Sequence, residues 1–106
     1  MRRAMTLGAA VLMMAQAAPA EVVKSERFQG DVQRRAIKPL ADGTPMSHIY
    51  VSVTTVAGAV PGRAMLPQAG AFAAQAGCRA GTPLSTVVAG VDAQAAEFEV
   101  LCRGDR

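Results

Sequence analysis

His48-Ile49-Tyr50-Val51-Ser52-Val53-Thr54-Thr55-Val56 is the stretch that decides the fold. It is rich in β-branched residues and alternates apolar with polar, the period of a strand with one buried face. Side chains on a strand point to opposite faces in turn. Ile49, Val51 and Val53 therefore face a core. His48, Tyr50, Ser52 and Thr54 face solvent or a partner.

Upstream stands Ala41-Asp42-Gly43-Thr44-Pro45. Asp-Gly favours a two-residue hairpin turn, because both positions tolerate positive φ. A strand over residues 32–40 is thus expected to pair with the His48 strand, within limits set by Pro39 and Pro45. Residues 21–29 are expected to add a polar edge strand with Phe28 inward. Downstream, residues 57–62 carry Gly58, Pro61 and Gly62 and read as a loop.

The spacing of Leu66, Ala69, Phe72 or Ala73, and Ala76 predicts a helix over 66–76. Pro67 suits its first turn. Gly77 stands where a left-handed C-terminal cap belongs. Residues 84–91 and 97–102 read as two strands joined by a short turn. In the second, Phe98, Val100 and Cys102 share the core face, and Glu97 and Glu99 share the solvent face. The expected fold class is α+β: a small antiparallel sheet of about four strands packed against one short helix, with one disulfide.

The bridge follows from Cys78 and Cys102, the only two cysteines of the 106 residues. An even pair in a small exported domain reads as a disulfide. No Cys-x-x-Cys spacing marks a redox pair.

Export is read from the first twenty residues. Met1-Arg2-Arg3 is a short basic start, residues 4–17 are apolar apart from Thr6 and Gln16, and Ala18-Pro19-Ala20 puts small residues at a cleavage site. That three-part pattern is a secretory signal peptide. The apolar run is shorter than the ~20 residues of a membrane-spanning helix. The expected organisation is a cleaved leader, residues 1–20, and one small domain, residues 21–106, in the bacterial periplasm or outside the cell, with no membrane anchor after cleavage. Cleavage removes two of the eleven basic residues and none of the eight acidic ones, so net charge falls from +3 to +1. Such a balance carries no electrostatic footprint for nucleic acid. Much of the 51% apolar content is alanine. Phe28, Phe72, Phe98 and Tyr50 are the only aromatic residues, so a covalent staple is of use to this core.

Reactive constellations are sparse. Nucleophilic catalysis needs a nucleophile, a base and an orienting group. Ser47 adjoins His48, the single histidine, but neighbours on a strand point apart. Asp42 lies across the turn, and Glu97 and Glu99 share a face expected to meet solvent. No phosphate-cradling glycine spacing occurs. Met46-Ser47-His48 puts a thioether and an imidazole two residues apart, on one side of an extended chain; such a soft set suits copper, with Met65 a candidate third ligand. Arg103-Gly104-Asp105 matches an adhesion tripeptide and reads as chance. The face of Tyr50, Ser52 and Thr54 is the candidate partner-binding surface, because tyrosine is enriched in interfaces. An unpaired edge near residues 21–29 offers strand addition as a second mode. The function expected first is a small periplasmic accessory or interaction module without catalytic activity, acting on an unidentified envelope protein. A copper-binding protein using Met46 and His48 comes next, and a small enzyme third.

Overall fold

The alternation at 48–56 builds a central strand. The computed structural model describes residues 21–104; the proposed leader and Asp105 lie outside them. Strand β3, Met46–Thr55, is paired on both sides. On one side lies β2, Phe28–Ile37, with Val32 opposite Val51. On the other lies β5, Ala96–Arg103, with Phe98 opposite Val51. Strand β1, Glu21–Lys24, borders β2, and β4, Thr82–Val91, borders β5. The order is β1-β2-β3-β5-β4, and every pairing is antiparallel.

Helix α1, Leu66–Gly77, lies across one face and touches β2, β3, β4 and β5. Its buried residues are Ala69, Phe72, Ala73, Ala76 and Gly77. They meet Phe28, Val32, Ile49, Val51, Val53, Phe98 and Val100 from the sheet. The helix contributes mainly alanines, which let it approach closely, while the phenylalanine rings fill the space. Phe28 and Phe72 stack at a tilt, with centroids 5.8 Å apart. Cys78, directly after the helix, is bonded to Cys102 of β5, with Cα atoms 5.6 Å apart. Among the described residues, the α+β class, the one short helix and the disulfide are thus as the sequence indicates.

Three details differ from the sequence reading. First, the sheet has five strands. The stretch 21–29 breaks at residues 25–27, where the Ser25 hydroxyl accepts from the Phe28 N–H at 3.1 Å, so β1 ends early and Phe28 opens β2. Second, β2 and β3 are joined by residues 38–45, not by a two-residue turn. Gly43 N–H donates to Leu40 O at 2.8 Å, so Ala41 and Asp42 are the central turn residues. Gly43 follows them at φ 88°, the left-handed position of a three-residue loop. Asp42 Oδ1 accepts from Thr44 N at 2.9 Å and Thr44 Oγ1 at 2.6 Å, which fixes the turn.

Third, Gly77 does not cap α1 with positive φ; it is the last helical residue. A β-carbon there would stand 3.1 Å from Ile49 Cγ2. The glycine lets the helix end sit close against the buried Ile49 side chain.

The helix end is held by Arg34, which the sequence reading passed over. Its Nε donates to Gly77 O at 3.2 Å and a terminal nitrogen donates to Ala76 O at 3.0 Å. A cation on the last carbonyls also complements the helix dipole. The other terminal nitrogen bonds Glu21, which Arg79 also approaches at 3.4 Å. The hydrogen bond from Arg34 holds the Glu21 carboxyl below its usual value of 4.5. Asp42 and Asp92 are lowered too, by bonds from Thr44 and from the backbone of Gln94 and Ala95. A lowered folded-state pKa means that the unfolded chain binds more protons in acid. Stability from these groups is complete above the usual carboxylate values and is lost as pH falls through the folded ones. Urea midpoints are expected to drop below about pH 4.5, with a shallower acid slope in Glu21→Gln. Equal slopes for both proteins would show that the Arg34–Glu21 link does not contribute.

Candidate functional site

Among the described residues, the helix covers one face of the sheet and the other is left open. On the open face, β3 presents His48, Tyr50, Ser52 and Thr54, as its alternation dictates, with Met46 on the same side but buried at the strand's start. Antiparallel register then sets the neighbours. Tyr50 is flanked by Gln33 of β2 and Glu99 of β5, and Ser52 by Asp31 and Glu97.

Tyr50 is 42% exposed near the middle of this face. Its ring meets the His48 ring nearly edge-on, with centroids 4.8 Å apart. His48 Nε2 and Glu99 Oε1 are hydrogen-bonded at 3.2 Å. The Ser52 hydroxyl donates to Glu97 Oε1 at 2.6 Å. Two cross-strand bonds therefore restrict the polar side chains on either side of Tyr50. Beside them is a shallow concavity of about 520 Å³ whose lining includes Lys24, Asp31, Ser52, Thr54, Gln94 and Glu97. Thr54 contributes to this rim, opposite Gln29. The arrangement is an amphipathic, partly fixed surface with donors, acceptors and one aromatic ring.

The three candidate binding residues, Tyr50, Ser52 and Thr54, thus share one surface. The copper candidates fare unevenly. Met46 and His48 do stand on the same side of β3, but Met46 is buried at the end by the 38–45 loop and His48 is bonded to Glu99. Met65 packs against the core on the helix side, away from both. Among the described residues no three of His, Cys, Asp and Glu gather as a metal-binding group.

The catalytic candidates are separated too. Ser47 is buried on the core side while His48 faces the opposite way, and Asp42 is engaged with Thr44. Glu97 and Glu99 do lie on the solvent face. Their partners Ser52 and His48 were not anticipated, because only the β3–β5 pairing brings them together. That pairing is non-local, and the only signal for it is the matching parity of the two strands.

Among the described residues no helix is long and apolar enough to cross a membrane. Comparison with known protein families, with characterised proteins and with solved structures gives no match to this chain.

Proposed function

We propose that this chain is a small exported accessory module that binds another protein of the bacterial envelope and carries no catalytic activity of its own. One observation carries the reading: among the described residues the sheet face opposite α1 is uncovered and centres on Tyr50, exposed between side chains held by cross-strand bonds. A tyrosine supplies large contact area with little rotamer entropy to lose, and neighbours already fixed reduce the cost of ordering on binding. The address rests on the leader pattern of residues 1–20. The disulfide suits an oxidising compartment.

Tyr50→Ala tests this reading. Removing a central aromatic anchor is expected to weaken partner binding by about tenfold or more. The thermal midpoint should barely change, since the ring contributes little to the core. Retention of full affinity in Tyr50→Ala would remove the open face from the interaction. A turnover activity that survives purification and is lost on one polar substitution would overturn the non-catalytic reading.

A further inference from the structure

The two edges of the sheet are built differently. Strand β1 has four residues, of which Glu21 and Lys24 are charged. Strand β4 has ten, Thr82-Pro83-Leu84-Ser85-Thr86-Val87-Val88-Ala89-Gly90-Val91, and none is charged. Leu84, Val87, Val88 and Val91 are each about half exposed. Proteins protect edge strands from pairing with short lengths, charges, prolines or bulges. Here Pro83 and two register irregularities fall toward the ends of β4, between Pro83 and Ser85 and between Val88 and Gly90. The stretch from Ser85 to Val88 between them is regular and unprotected.

A groove of about 440 Å³ runs along the helix side of this edge. Its walls are Leu66, Pro67, Gly70 and Ala71 of α1 and Thr86 and Val88 of β4, with Phe98 in its lining. A strand added to β4 would extend the sheet and set its own helix-side residues beside this groove.

We infer that β4 pairs antiparallel with β4 of a second copy of this chain, joining two sheets into one of ten strands. The strand itself identifies this occupant. A two-fold axis at Val87 sets Val87 against its copy on the open face and Thr86 against Val88 on the helix side. Each of these pairs is uncharged and at least half β-branched, a favourable cross-strand combination. The interface is isologous and closes after two copies. Pairing β4 with β1 of another copy would instead oppose Glu21 and Lys24 to an apolar strand and propagate without closure. The β4–β4 interface lies in the plane of the sheet and leaves the Tyr50 face free, so it stands or falls separately from the function proposed above.

Sedimentation equilibrium of the exported chain, across micromolar concentrations, is the test. The expected mass is twice that of one chain for the wild type. Val87→Lys opposes two ammonium groups across the axis and is expected to weaken association at least about tenfold. Val87→Thr keeps strand propensity without charge and should still dimerise. Because Val87 is exposed, circular dichroism should show both variants folded. Hydrogen exchange gives an independent readout: amides of residues 85–88 should gain protection as wild-type concentration rises. A wild type that stays monomeric, a dimer untouched by Val87→Lys, or protection at 85–88 that appears only with a different protein or with residues 1–20 would overturn the inference.

Discussion

Replacing Phe98 with alanine is expected to destabilise the domain by about 3–5 kcal/mol, the usual cost of emptying a buried phenylalanine site. Among the described residues Phe98 is the largest fully buried side chain, at 2% exposure. It stands between Val51 of β3 and Val88 of β4, beneath Gly70 of the helix. Gly70 stands over the ring, and apart from Phe72 the buried helix residues, Ala69, Ala73, Ala76 and Gly77, are too short to reach into a vacated space. The cavity would therefore persist. Domains of this size sit toward the low end of the ~5–15 kcal/mol range of folding stability. A substantial unfolded population at 37 °C and a midpoint lowered by more than about 12 °C are expected. Thermal and urea denaturation followed by circular dichroism would measure both. A loss under about 1 kcal/mol would mean that the ring is not the centre of this core.

The second large effect belongs to the disulfide. Opening the loop between Cys78 and Cys102, 24 residues apart in sequence, is expected to cost roughly 3–3.5 kcal/mol on the chain-entropy view. The suitable variant is Cys78→Ala with Cys102→Ala, because Cys102 is fully buried and an alanine leaves no buried hydroxyl. Reductant should lower wild-type stability by a comparable amount and leave the double variant unchanged. The folded variant should retain its helix, since Arg34 still holds the carbonyls of Ala76 and Gly77. If reductant made no difference to the wild type, the staple would be dispensable.

What the sequence revealed depended on how local the signal was. Ile49, Val51 and Val53, and likewise Phe98, Val100 and Cys102, declare their faces by alternation alone, and all are buried. The helix declares itself by apolar spacing and by Pro67 in its first turn. Gly77 misled, because a glycine after a helix has two physical uses and only the contact with Ile49 tells them apart. Gly43 lies in the turn but one position later than an Asp-Gly pair alone implies, because the loop between Leu40 and Thr44 has three residues and needs its left-handed residue third. Arg34 and Arg35 are adjacent in sequence, and only the docked helix gives Arg34 its role at the carbonyls. At the candidate site, Tyr50, Ser52 and Thr54 were legible together because one strand carries them. The bonds to Glu97 and Glu99 were not, because they need the register of two strands more than forty residues apart.

The central proposal is that the uncovered sheet face is the working surface of the molecule. It is tested most directly by placing a photoreactive side chain at one position at a time in the chain and irradiating intact cells that produce it. Substitution at Tyr50 or Thr54 is expected to give one discrete adduct to another envelope protein. The same group at Gln75, an exposed position on α1, should give none. Adducts from Gln75 but not from Tyr50 or Thr54 would contradict the account, because the helix side would then be the face that binds.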